Sequence, residues 1–240
     1  MIGFASADAV DAGPWIARLA GFSRCGNLVD GWERRPGGNH PDGWGIAWRQ
    51  GGEFRLARSG KPAHADPAFS GMRVATDRFV GHVRYASNTA TVNDSNAHPF
   101  LVREVVLAHN GTFRGDIGEE AQRRGVSDTL VFLERLSALW EEKSFAGLRG
   151  ALAEILSESA QVGDYSAANL LIASGEGLFA LRHCRRDDGY YTLYLQASPG
   201  RVTAASQPSD DAPGWRLLEN GELVEMNPHA PRSAFLFAAA

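Results

Sequence analysis

Gly81-His82-Val83-Arg84-Tyr85-Ala86-Ser87 and Ala108-His109-Asn110-Gly111 are the two ends of the stretch around which this chain is organised. Each follows a short apolar run, 78–83 and 104–108, that stops at polar, turn-favouring residues, the pattern of a strand reaching its end. Arg84 and Asn110-Gly111 are therefore expected at strand ends, where sites are built. An Arg in that position can clamp a carboxylate through its planar fork. An Asn side chain beside a Gly backbone N–H can aim two donors at one oxygen, the arrangement of an oxyanion hole. Together they point to acyl chemistry on an amino-acid-like substrate.

Outward from this stretch, composition narrows the field. A chain of 240 residues with 44% hydrophobic and 22% charged residues is ordinary for a globular protein, and one domain spanning residues 1–240 is the expectation. The net charge of −4, with no long run of Lys or Arg, argues against nucleic acid as a partner. Cys25 and Cys184 are the only cysteines and form no CxxC pair, so neither a metal site nor a cofactor is expected, and a reducing cytoplasm fits best. No apolar stretch is long enough to span a bilayer, and the first residues lack a signal-peptide plan, so no membrane role is expected.

Along the chain, residues 1–5 read as a buried strand and 13–22 as a helix with Trp15, Ile16, Leu19 and Phe22 on one face. A long polar loop over 23–41 leads to Asp42-Gly43-Trp44-Gly45, and 44–49 with 53–59 reads as a hairpin turning at Gly51-Gly52. Asp66-Pro67 signals a short helix over 66–75, and 85–97 is a polar loop expected at the surface beside the site. Ser127 is a natural N-cap for an amphipathic helix, which puts Asp128 in its first turn. A second helix over 145–156 follows, then strand-like runs at 169–173, 177–183, 190–196, 201–206 and 222–226. Residues 207–214 read as a loop, and the apolar 233–240 as a last strand or a tail.

His82-Val83-Arg84-Tyr85, Asn96-Ala97-His98-Pro99-Phe100, Ala108-His109-Asn110-Gly111 and Ser127-Asp128-Thr129 follow one another in a telling order and spacing. With His40-Pro41-Asp42-Gly43-Trp44-Gly45 ahead of them, they resemble the class II glutamine amidotransferases, and most of all the small stand-alone branch that includes γ-glutamyl amide hydrolases of the ergothioneine-pathway type. The resemblance implies an α+β fold, a four-layer αββα sandwich of two mainly antiparallel sheets with helices outside, as in N-terminal-nucleophile hydrolases. It also implies hydrolysis of the γ-amide of glutamine or of another γ-glutamyl small molecule, with any ammonia passing to solvent or to a separate ammonia-accepting enzyme. Asn110 and Gly111 would form the oxyanion hole, Arg84 would bind the substrate α-carboxylate and Asp128 its α-ammonium. His98, Asn96, Asp42 and Gly43 would support them; His98 and His109 are read as loop-orienting groups rather than bases, and His82 as core.

The nucleophile in that family is a Cys at the mature N-terminus, whose own α-amine, titrating near pH ~8, can take the thiol proton. This chain opens Met1-Ile2-Gly3-Phe4, matching the second half of the family's opening. The expectation is a start at an internal Met, with a Met-Cys-Arg lost upstream and the chain as written inactive. The alternatives are a non-catalytic module that binds γ-glutamyl compounds or a protein partner, and replacement of the nucleophile by Cys25 on its Gly-rich loop.

Overall fold

The computed structural model describes residues 1–26, 38–157 and 164–237, so most of the expected 23–41 loop lies outside the described residues. In chain order the elements are β1 (Ile2–Asp11), α1 (Gly13–Arg24), β2 (Trp44–Gln50), β3 (Glu53–Ser59), α2 (Pro67–Ser70), β4 (Ala75–Val83), β5 (Phe100–Val102), β6 (Val105–Asn110), α3 (Gly115–Arg124), α4 (Asp128–Leu139), α5 (Phe145–Leu156), β7 (Asn169–Ala173), β8 (Leu178–Leu181), β9 (Tyr194–Ser198), β10 (Arg201–Ala205), β11 (Arg216–Leu217), β12 (Glu222–Glu225) and β13 (Arg232–Phe235). They form two antiparallel sheets, ordered β11-β9-β10-β1-β4-β2-β3 and β13-β12-β8-β7-β6-β5.

Period-two alternation sorts the side chains into layers. On β1 and β4, Ile2, Phe4 and Phe79 turn outward onto Ile16 and Leu19 of α1 and Phe69 of α2. Their neighbours Ala5 and Val80 turn inward, where they meet Val106, Ala108, Leu171 and Ala180 of the other sheet. The far face of that second sheet is covered by α3, α4 and α5 through Ile117, Phe132, Leu136, Trp140 and Leu152. The expected αββα sandwich is therefore what the chain forms. Among the described residues, buried aromatic side chains recur in the outer layers and are missing from the buried cluster between the sheets, where alanine recurs and a small side chain lets two backbones approach.

Several boundaries differ from the sequence reading. β1 runs on to Asp11, with a break in register between Ala5 and Val10. The helix expected over 66–75 is a single turn, α2: Asp66 caps it by accepting from the Ala68 N–H at 3.0 Å, but Ala75 is drawn into β4 by pairing with Asp11. The run read from 104 starts one residue later, because Arg103 and Glu104 form a turn at φ 47° and 67°. The run read from 190 starts at Tyr194, since Tyr190 and Tyr191 both donate backbone N–H groups to Asp187 O and curl into a turn. The last strand expected in 233–240 is β13, while the two-residue β11 had no signal in its sequence.

Candidate functional site

Two strands that carry the core also carry the site. On β4 the inward series continues from Val80 to His82, and on β6 from Val106 and Ala108 to Asn110. Where these strands end, the gap between the sheets opens into a cavity of about 140 Å³ lined by Met1, His82, Arg84, His98, Asn110, Gly111 and Asp128, among others. Arg84, Asn110, Gly111, Asp128 and His98 are thus brought together. Asn96, Asp42 and Gly43 stand behind this wall.

Arg84 is buried at 6% exposure. Its Nη1 donates to Thr91 O and its Nη2 to Thr91 Oγ1, both at 2.7 Å, so two of the five N–H donors of a guanidinium are anchored inside the protein. Burial pulls the guanidinium below its ordinary value, while the Asp128 and Asp42 carboxylates push the other way. Its main chain is strapped down as well: Asp42 N–H donates to Arg84 O at 3.0 Å, and Arg84 N–H to Gly43 O at 2.9 Å. Asp42 Oδ2 then accepts from Ala86 N–H at 2.9 Å. Gly43 sits at φ 121°, and a Cβ there would lie 2.9 Å from Ser59 O. Asp42 and Gly43 thus hold the Arg84 segment through two main-chain bonds and one carboxylate bond. The loop over 85–97 is not wholly superficial, because Ala86, Thr91 and Asn96 are buried by this work.

The turn after β6 brings Gly111 to the cavity and ties down the next two N–H groups. Gly111 has φ 151°, and a Cβ on it would collide with the carbonyl of Ala167. Only glycine fits there. Thr112 N–H donates to Ser166 Oγ at 3.0 Å, and Phe113 N–H to Asp128 Oδ2 at 2.7 Å. The Phe113 ring is clamped between His109 and Phe132, each at 4.4 Å between centroids. Asn110 and Gly111 both line the cavity wall.

Asp128 opens α4 as expected, with Ser127 as the cap accepting from Thr129 N–H at 3.3 Å. The cap is itself held: Asn96 Oδ1 accepts from Ser127 N–H at 2.7 Å. His98 Nδ1 meets the carbonyl of His109 at 3.3 Å and its Nε2 meets Ser127 Oγ at 3.1 Å. His109 Nε2 meets the carbonyl of Ala167 and its Nδ1 meets Thr129 Oγ1, both at 2.9 Å. Carbonyls only accept, so each ring donates to main chain with one nitrogen and accepts a hydroxyl with the other. Burial disfavours the charged form of both rings, driving His98 well below 6.5 and lowering His109 against the pull of Asp128. His82, its ring 4.8 Å from that of His98, is driven well below 6.5 by burial too. Its Nδ1 is buried without a partner among the described residues. His82 is thus a cavity-lining residue as well as a buried one.

Sequence reasoning missed several lining groups. Tyr190, Tyr191, Ser206 and Met1 come from the other end of the chain or from its start, and Tyr190-Tyr191 reads as the opening of a strand. The α-amine of Met1 is buried, donates to Ser206 Oγ at 3.2 Å and is pushed down to about 5 by desolvation. Neither cysteine lines the cavity. Cys25 is exposed on its loop, and Cys184 is buried with its thiol pushed up to about 11 by burial and by Asp188. That removes the geometric basis for Cys25 as a replacement nucleophile. Among the described residues no group of His, Cys, Asp and Glu is placed to hold a metal ion, and no helix is long and apolar enough to cross a membrane.

Two facing antiparallel sheets with helices outside, and a cleft at their strand ends lined in part by Met1, make up a four-layer αββα sandwich. Solved structures agree. A glutamine aminotransferase class-II domain protein from Silicibacter pomeroyi superposes with a TM-score of 0.63 at 19% identity, over 98% of this chain and 97% of that one. Glutamine phosphoribosylpyrophosphate amidotransferase from B. subtilis does so with a TM-score of 0.63, over 99% of this chain and 49% of that one. The profile of the class-II glutamine amidotransferases matches residues 25–199, and the chain belongs to that family. A γ-glutamyl-hercynylcysteine sulfoxide hydrolase of Mycolicibacterium smegmatis is 28% identical over 77% of this chain and 77% of its own length. An uncharacterized protein of Methanocaldococcus jannaschii is 27% identical over 78% of this chain, which spans 61% of that protein's length.

Proposed function

We propose that this chain forms the amidohydrolase domain that cleaves the γ-amide of glutamine or of a γ-glutamyl metabolite. Arg84 holds the α-carboxylate, Asp128 holds the α-ammonium, and the Asn110 side chain with the Gly111 N–H receives the oxyanion. The observation that carries this reading is the convergence of these four residues on one cavity with Met1. A cation, an anion and two neutral donors match the three polar ends of a γ-glutamyl group, and the enclosed site strengthens each of these contacts.

The nucleophile in this reading is a Cys carried two residues ahead of Met1. The β1–β4 ladder pairs Ile2 with Gly81, so each step back along β1 moves one residue forward along β4. A residue two positions before Met1 falls opposite Arg84, on the same face as Met1, at about 3.3 Å of rise per residue. From there a thiolate attacks the γ-carbonyl, the amine leaves with a proton, and water hydrolyses the γ-glutamyl thioester. The name of the Mycolicibacterium relative supports a γ-glutamyl metabolite over ammonia channelling to a partner enzyme, and two unpaired cysteines suit a reducing cytoplasm.

The test is glutamate release from glutamine and from γ-glutamyl amides by a chain whose Met1 is preceded by Cys-Arg. Turnover that disappears when this Cys is replaced by Ser is the expected result. The second reading, a γ-glutamyl-binding module without turnover, draws on neither Cys25 nor Cys184 being among the residues that line the cleft. It wins if the extended chain binds glutamate and releases none.

A further inference from the structure

Asp128 is already engaged before any substrate arrives. Its Oδ2 accepts the Phe113 N–H at 2.7 Å, and its Oδ1 accepts the Thr129 N–H at 2.9 Å and lies 3.2 Å from Ser127 Oγ. A carboxylate whose sole work was to attract an ammonium would not need a main-chain donor from a turn fifteen residues earlier in the chain. That turn is the one that carries Gly111, a residue of the cavity wall. We infer that Asp128 is also the positioning residue of the oxyanion hole: its carboxylate latches the 111–113 turn to the start of α4, so the group that reads the substrate's α-end also sets the donor at its γ-end.

The surroundings carry the inference. The base of the latch is immobilised from three sides, by the Asn96 side chain on Ser127 N–H, by His98 on Ser127 Oγ, and by His109 bridging Thr129 to the carbonyl of Ala167. That same carbonyl is the one that leaves no room for a side chain at Gly111. The turn is thus closed between two fixed walls. Of its two tied-down N–H groups, Thr112 goes to Ser166, while Phe113 goes to the one partner that also lines the cavity. Removing that acceptor leaves the Phe113 N–H unpaired, and the turn is then free to rotate the Gly111 N–H away from the cleft.

The inference rests on the proposed use of the cleft, and its test separates the two. Glutamate and glutarate, which is glutamate without the α-ammonium, are titrated into the chain as it stands and into its D128A and D128N variants, and amide hydrogen exchange is followed at Phe113. An Asp128 that only binds the ammonium contributes nothing to glutarate, and its removal should leave the dianion bound equally or more tightly. The latch predicts the opposite sign: D128A weakens glutarate by about 10- to 100-fold and speeds exchange at Phe113. D128N, which keeps one acceptor oxygen for Phe113 N–H but no charge, retains glutarate while losing glutamate. Unchanged or tighter glutarate in D128A, equal loss in both variants, or unaltered exchange at Phe113 overturns the latch. If the unmodified chain binds neither ligand, the proposed function fails, and exchange at Phe113 in the variants still decides the latch.

Discussion

The middle of the gap between the two sheets and its open end are built from the same strands, yet they behave as different materials. β4 supplies Val80 to the middle and His82 to the end, β6 supplies Ala108 and then Asn110, and β1 supplies Ala5 and then Met1. In the middle, contacts are apolar and the sheets approach across alanines. At the end, buried imidazoles, a guanidinium and a carboxylate are held by main-chain carbonyls and amides. The lesson is that the site was made by extending the inward-facing series of β4 and β6 two residues past the core, so that sheet register places the chemistry.

The comparison breaks first at Gly111. Gly111→Ala forces a Cβ into the Ala167 carbonyl at a backbone angle that L-residues avoid. A loss of more than about 3 kcal/mol in denaturant unfolding, together with loss of glutamate binding, is expected. In the middle, Leu171→Ala should cost about 2–5 kcal/mol of stability while the folded molecules bind glutamate with unaltered affinity, read by calorimetry below the unfolding transition. Arg84→Ala should do the reverse, weakening glutamate by about 2–5 kcal/mol, because a carboxylate is then left without its cation in an enclosed cleft. Equal effects of the two substitutions on binding would show that core and cleft are not separable.

For each histidine taken singly, a smaller effect sharpens the contrast through pH. His82, His98 and His109 are held below 6.5 by burial, so the unfolded chain takes up protons that the folded chain refuses. With more protons on the unfolded state, stability falls as pH drops below 6.5, by at most about 1.4 kcal/mol per histidine per pH unit. Urea unfolding between pH 7.5 and 5, roughly spanning that titration, should show the decline. His98→Gln, which keeps a donor and an acceptor, should flatten the slope.

Arg84, Asn110, Gly111 and Asp128 were legible in the sequence because each belongs to a local device, a strand that stops or a helix that starts, and local devices leave short signatures. The strands and helices were legible for the same reason, through alternating runs and turn residues, whereas their stacking into a four-layer sandwich was implied by the family resemblance. What escaped was made by distant pairings. Thr91 anchoring Arg84 is hidden in a polar loop, Ser166 receiving Thr112 lies 54 residues away, and Tyr190-Tyr191 has the composition of a strand although Asp187 turns it into the cleft. The short α2 teaches a related point: its cap was readable, but its length was decided by the claim of β4 on Ala75, which no helix signal records.

The most direct test of the account is a crystal structure of the chain with glutamate bound. The α-carboxylate should lie on the Arg84 guanidinium, the α-ammonium at Asp128, and the γ-carboxylate within hydrogen-bond reach of the Asn110 side chain and the Gly111 N–H. Glutamate bound elsewhere, or seated in the cleft with its γ-carboxylate away from Asn110 and Gly111, would contradict it.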